Sequence, residues 1–240
     1  MNVLVTGGSR GLGKALIERF QKEGHTTFNA SRYTNCDVRC FSDINDFFDG
    51  KRVDTLICNA GIYGLIGPVD ESYPQAWKDT FATNFFGVVN CCITALPQMK
   101  ARRHGKIIIV AGGGATKPMP NFSAYAASKA AVVRFAETLA LEVKDYGIDV
   151  NCISPGLLNT DIHRQVISAG PEKAGQQAYD EAVALKDATP DFTKPCDLAV
   201  WLASDKSNGI TGRLISAVWD DWESFTPDMP ADKYTLRRVT

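Results

Sequence analysis

The chain has 240 residues, of which 45% are hydrophobic, and its formal net charge is −1. That length gives one large domain or two small ones with enough apolar material for a sizeable core. The near-neutral charge, free of long like-charge blocks, leaves nucleic-acid binding without an electrostatic footprint.

The N-terminal MNVLVTGG stops at glycine too soon for a signal peptide, and no transmembrane-length apolar run is visible. Neither a membrane nor a nucleic-acid partner is expected. The seven cysteines (Cys36, Cys40, Cys58, Cys91, Cys92, Cys152 and Cys196) are scattered and contain no CxxC pair. They point to reduced thiols and a cytoplasmic location, and their spacing fits no metal site.

NVLVT (2–6) reads as a buried strand, followed by the turn TGGSRGLG (6–13). A helix is predicted over 11–23, with Leu12, Ala15, Leu16 and Phe20 on one face. In this strand–turn–helix setting, glycines bind phosphate. Gly7 permits the tight turn, Gly11 lets a pyrophosphate approach, and Gly13 allows close helix packing. Helix-terminal N–H groups then face the anion. Ser9, Arg10 and Leu12 complete the candidate contact, and a purely structural turn is the alternative.

TTFNA (26–30) is the second strand. An NAD site places a carboxylate at its end to hold the ribose hydroxyls. This chain has Ser31 and Arg32 there. Arg32 and Arg10 suit a bidentate grip on a 2′-phosphate, which favours NADP(H) over NAD(H). The alternative is two solvated arginines.

VDTLICN (53–59) and KIIIVAG (106–112) are near-continuous apolar runs, as strands buried on both faces should be. Further strands are predicted over 148–153 and 214–219, and helices over 86–101 and 123–146. The alternation predicts an α/β fold with a parallel sheet covered on both sides. Residues 159–195 are the least strand-like and read as an insertion or a lid over the carboxyl edge.

TGGSRGLG, CNAG (58–61), TNFFG (83–87), YAASK (125–129) and SPG with a later threonine (154–160) together resemble the short-chain dehydrogenase/reductase family in its compact form. The resemblance implies one Rossmann-type domain over 1–240, with about seven parallel strands, helices on both faces and a tail over 219–240. It also implies hydride transfer between a nicotinamide and a small carbonyl or alcohol, and a homodimer or homotetramer. By position, Asp37 and Val38 would flank the adenine. Asn59, Ala60 and Gly61 would line the cofactor, and Pro155, Gly156, Leu158 and Thr160 would hold its nicotinamide end. Asn84, Tyr125 and Lys129 would be the catalytic residues, with Asn84 holding a relay water and Lys129 also binding the ribose. The Ser31–Asp37 segment is shorter than the family usually has, as if a helix were missing.

Tyr125 and Lys129 stand four apart on a helix and share a face. A free phenol has a pKa near 10. An ammonium about 4 Å away supplies about 4 kcal/mol at an effective dielectric near 20, enough to lower it by about three units. Lys129 is therefore expected to depress Tyr125, making it proton donor in reduction and acceptor in oxidation.

The family also places a serine or threonine where this chain has Gly112. Three readings stay open. Ser123 or Thr116 takes over the hydroxyl's role, although Ser123 also reads as an ordinary helix start. Alternatively, the N–H groups of Gly113 and Gly114 polarise the substrate oxygen, with room for a bulky substrate. In the third, the site is impaired and the protein is a cofactor-binding module with a regulatory or partner-binding role. Losing one oxyanion donor costs about 10²–10³ in rate, so activity is expected.

The segment after SPG carries His163, Arg164, Gln165, Lys173 and Tyr179, and Arg164 is a candidate for an anionic substrate. Trp219, Asp220, Asp221 and Trp222 suit a subunit interface or contact with a sugar-type substrate.

Overall fold

The computed structural model describes residues 1–237. The last three positions of the expected tail, 238–240, lie outside the described residues. In chain order, β1 (Asn2–Thr6), α1 (Gly11–Lys22) and β2 (Thr26–Ala30) are followed by a single 3-10 turn, Arg32–Thr34, then α2 (Phe41–Phe48) and β3 (Thr55–Cys58). Next come α3 (Pro74–Phe81), a π-turn (Ala82–Phe86), α4 (Gly87–Arg102) and β4 (Gly105–Val110). α5 (Ser123–Val143), β5 (Ile148–Ser154), α6 (Asp161–Ala174), α7 (Gln176–Ala184), α8 (Thr193–Ala203) and β6 (Leu214–Ser216) complete the order.

The described residues form one parallel sheet of six strands, ordered β2-β1-β3-β4-β5-β6. The expectation was about seven. Only the 3-10 turn separates β2 from the run into α2, so β2 is an edge strand.

Alternate residues of the central strands feed two cores. Leu4, Leu56, Ile107 and Ile109 pack under α2, α4 and α5. Val3, Val5, Ile57 and Ile108 pack under α1 and α8. Burial on both faces is why β4 reads as an unbroken apolar run. β1 connects outward to β2, while β3 returns on its other side, so the order reverses between β1 and β3. Open α/β sheets bind ligands at such a switch point, beyond the strands' carboxyl ends.

Two expectations need correction. First, α3, the π-turn and α4 run as one helix, Pro74–Arg102, that is long and apolar enough to cross a membrane by length and composition alone. Polar residues interrupt its apolar runs, so no continuous stretch of that length is visible in the sequence. Its inner side, including Val88, Cys91, Cys92, Ala95 and Met99, is buried in the sheet-facing core. Second, the last strand ends at Ser216 rather than Trp219. The Asp220 carboxylate takes the Ser216 N–H at 2.7 Å, and Ser216 Oγ takes the Trp219 N–H at 3.1 Å. These bonds close a turn where the strand was predicted to continue.

Candidate active site

The glycine turn is built by close backbone contact. Gly7 has φ +65°, and its N–H donates to the Ala30 carbonyl at 2.8 Å. A Cβ on Gly7 would lie 3.0 Å from Ala60 Cα. One on Gly13 would lie 2.4 Å from the Gly7 carbonyl oxygen and 2.5 Å from Asn59 Nδ2. Thr6 Oγ1 accepts the N–H groups of Asn59 and Ala60, both at 3.0 Å, while Asn59 Nδ2 donates to the Thr6 carbonyl at 3.0 Å. CNAG thus braces the turn across the switch point. The Leu12 side chain is buried in the core under α1, so its contribution to the turn is its backbone.

At the end of β2, Ser9 Oγ and Ser31 Oγ share a hydrogen bond at 2.7 Å, and Asn29 Nδ2 donates to Ser9 Oγ at 3.1 Å. This sets Ser9–Arg10 beside Ser31–Arg32. Arg32 is exposed and makes no ion pair among the described residues. Arg10 instead pairs with Asp161 at 2.9 Å. Asp37 is held by Arg39, whose hydrogen bonds keep the carboxyl below its ordinary pKa. Val38 is buried against Gly87, where a Cβ would meet it at 2.7 Å. A glycine cradle that side chains would fill, opening a helix beyond the first strand, fits the phosphates of a dinucleotide.

Asn84, Tyr125 and Lys129 converge at the carboxyl edge. Asn84 sits in the π-turn and is 1% exposed. Such turns interrupt α-helices at functional sites more often than elsewhere. Its Oδ1 accepts the Ile62 N–H, and its Nδ2 donates to the Ile62 carbonyl and to Ser128 Oγ, each at 2.9 Å. Ser128 in turn donates to the Tyr125 carbonyl at 2.7 Å. A Cβ on Gly61 would lie 3.4 Å from Asn84 Oδ1 and 3.5 Å from Lys129 Nζ, so this glycine lets both crowd one point. Lys129 Nζ donates to the Val110 carbonyl at 2.8 Å, and burial lowers its pKa to about 8.

Lys129 does not depress Tyr125 here. Burial, and then the neighbouring Tyr63, raise the Tyr125 pKa above its ordinary value. The ammonium lies 5.7 Å from the Tyr125 ring centroid and is turned to the Val110 carbonyl. Tyr63 stands edge-on to Tyr125, with ring centroids 4.6 Å apart, and its own pKa is pushed up to about 12 by burial.

Gly112 adopts φ +152°, ψ 172°, a region essentially restricted to glycine. A Cβ there would lie 2.8 Å from the Tyr125 hydroxyl oxygen. Gly113 has open space around it, whereas Gly114 packs under Met119 and Ala126. Among the described residues, no acceptor takes the N–H of Gly113 or Gly114. Thr116 is exposed and turned toward the Gly113 carbonyl. Ser123 is the first residue of α5, and its hydroxyl has no hydrogen bond among the described residues.

Pro155 and Gly156 follow β5 directly. A Cβ on Gly156, at φ +87°, would meet Val218 at 2.7 Å. Leu158 packs on the core beneath α1 and α8. Thr160 precedes α6 and touches the space beside Gly11. The region expected as a lid thus begins against the glycine turn and forms α6 and α7. His163 packs on Tyr63 with ring centroids 6.5 Å apart, and neither ring nitrogen has a hydrogen-bond partner. Arg164 pairs with Asp161 at 2.9 Å and lines a cleft of about 460 Å³ with Ile66, Gln165 and Lys173. Trp219 is 86% exposed, while Trp222 packs on Trp201. Among the described residues, no cluster could hold a metal ion.

Tyr63 and Ser128 join the site without belonging to the residues expected from sequence. Ser128 lay inside YAASK, where its helix position beside Lys129 carried some signal. Nothing in CNAGIY marked Tyr63.

A family model described as short chain dehydrogenase matches residues 30–170. The chain is 32% identical to 3beta-hydroxysteroid dehydrogenase 1 of Eggerthella lenta, over 89% of this chain and 90% of that protein. It is 34% identical to 3-ketodihydrosphingosine reductase of Bacteroides thetaiotaomicron, over 66% of this chain and 64% of that protein. Among solved structures, a gluconate 5-dehydrogenase from Burkholderia cenocepacia in complex with NADP and tartrate superposes with a TM-score of 0.73. It is 25% identical, over 90% of this chain and 92% of that one.

Proposed function

This chain belongs to the short-chain dehydrogenase/reductase family, and on that premise we propose that it transfers a hydride between NADP(H) and a small carbonyl or alcohol. One observation carries the reading: Tyr125, Lys129 and Asn84 meet at the carboxyl edge, beside the glycine turn braced by Asn59 and Ala60.

Gly7, Ser9, Gly11 and Gly13, with the Leu12 backbone, would hold the cofactor's phosphates. Asp37, Val38, Ala60 and Gly61 would line its adenine side, and Pro155, Gly156, Leu158 and Thr160 its nicotinamide end. When bound, the nicotinamide supplies or accepts the hydride. Ser31, Arg32 and the missing carboxylate after β2 support NADP(H) over NAD(H). The NADP in the Burkholderia structure agrees with that choice.

Tyr125 gives its proton to the carbonyl oxygen in reduction and receives one in oxidation. Burial holds its phenol protonated, the state that reduction needs. Lys129 pins the Val110 carbonyl and carries positive charge below about pH 8, ready to steady a developing phenolate. The free N–H groups of Gly113 and Gly114 take the place of the serine hydroxyl as donors to the substrate oxygen.

Nicotinamide absorbance over a panel of carbonyls and alcohols, with wild type and Tyr125→Phe, tests the reading. Turnover by wild type that falls about 10²–10⁴-fold in the variant is expected. Identical traces would overturn it.

A further inference from the structure

The glycine turn and the lid touch through charge. Arg10 of the turn reaches Asp161, the first residue of α6, at 2.9 Å. The other Asp161 oxygen holds Arg164 at 2.9 Å. Thr160, one residue earlier, abuts the space beside Gly11. The Ser9–Ser31 hydrogen bond keeps the Arg10 backbone next to Arg32. Arg10 therefore stands between two anions, the lid carboxylate already in place and the 2′-phosphate expected at the β2 end.

We propose that Asp161 is a cofactor-specificity residue that competes with the 2′-phosphate of NADP(H) for Arg10, so that lid anchoring and phosphate recognition share one guanidinium. The inference rests on the NADP(H) reading above. Asp161 holds the guanidinium through Nη1 alone, so the two anions compete for the direction in which this exposed side chain turns rather than for all of its donors. A 2′-phosphate that draws Arg10 to the β2 end pulls it from Asp161, leaving the start of α6 tethered to the glycine turn by Thr160 beside Gly11, because Arg164 pairs with Asp161 within the same helix. A cofactor without that phosphate leaves the Arg10–Asp161 pair intact. Both side chains are substantially exposed, 62% and 39%, so the competition is modest. Exposed pairs of this kind correspond to about a two- to five-fold change in affinity.

Fluorescence titration with 2′,5′-ADP and with 5′-ADP reads binding without turnover. Asp161→Asn should bind 2′,5′-ADP about two- to five-fold more tightly and 5′-ADP unchanged. The gain should vanish in the Arg10→Ala background, and Asp161→Glu should behave as wild type. Exchange of α6 amides with deuterium should quicken when 2′,5′-ADP, but not 5′-ADP, is added to wild type. No gain, an equal gain for both nucleotides, or a gain that persists without Arg10 would overturn the competition. An unchanged 2′,5′-ADP affinity in Arg10→Ala alone would overturn the phosphate assignment of Arg10 itself.

Discussion

A Cβ on Gly112 would stand 2.8 Å from the Tyr125 hydroxyl oxygen. Gly112 therefore faces the proposed proton donor. The backbone there, at φ +152°, is one that L side chains rarely adopt.

Gly112→Ser is accordingly expected to lower both activity and stability. Strain of this type costs about 1–3 kcal/mol, and the added carbon displaces the Tyr125 ring. A urea midpoint and kcat/KM on the best substrate check it. A gain in rate at unchanged stability would mean the loop relaxes to accept the hydroxyl, and the Gly113 and Gly114 donors would lose their role.

The raised pKa of Tyr125 sets a pH asymmetry between the two directions. Reduction uses the protonated phenol and should stay flat across neutral pH. Oxidation uses the phenolate and should climb about tenfold per pH unit until the phenol titrates. Initial rates in both directions, at saturating cofactor, measure the difference.

Lys129→Met should stabilise the fold while removing activity. The ammonium is buried, and its folded pKa of about 8 lies below the unfolded value of 10.5. The unfolded chain thus binds more protons between those values, and stability rises with pH through that window. Below about pH 8 the full penalty, a few kcal/mol, is present, and methionine removes it. Thermal melts at neutral pH should show a higher Tm for the variant, and the gap should narrow toward pH 10.

His163 should make the fold acid-sensitive. Burial lowers its pKa below 6.5, partly offset by Glu181. The unfolded state then takes up the proton first, so stability falls as pH drops below about 6.5. His163→Leu should match or exceed wild type near pH 7.5, because both ring nitrogens lack partners, and should lose less Tm at pH 5.5. Parallel melts at the two pH values decide it.

Strand positions and the motif order were legible in the sequence for a simple reason. Strands covered on both faces must be apolar at consecutive residues, as Ile107–Ile109 are, and a turn with the Gly7 and Gly13 contacts admits no side chain. The helix spacing of Tyr125 and Lys129 was legible for the same kind of reason, since four residues make about one turn. The sign of the Tyr125 pKa shift was not legible. It depends on burial against Tyr63 and on Lys129 turning to the Val110 carbonyl, and neither contact lies within the motif.

By itself the sequence determined a parallel, doubly covered sheet, a glycine turn after its first strand, and a tyrosine and lysine on one helical face. These follow from local periodicity and from sterics within a few residues. Only the tertiary structure decided that Asn84 is aimed by a π-turn, that Ser128 ties it to α5, and that Gly112 faces Tyr125 in a glycine-only conformation. It alone joined Arg10 to Asp161, because the sheet brings loops distant in sequence to one carboxyl edge, where charge and dihedral strain are set by neighbours the local sequence does not name.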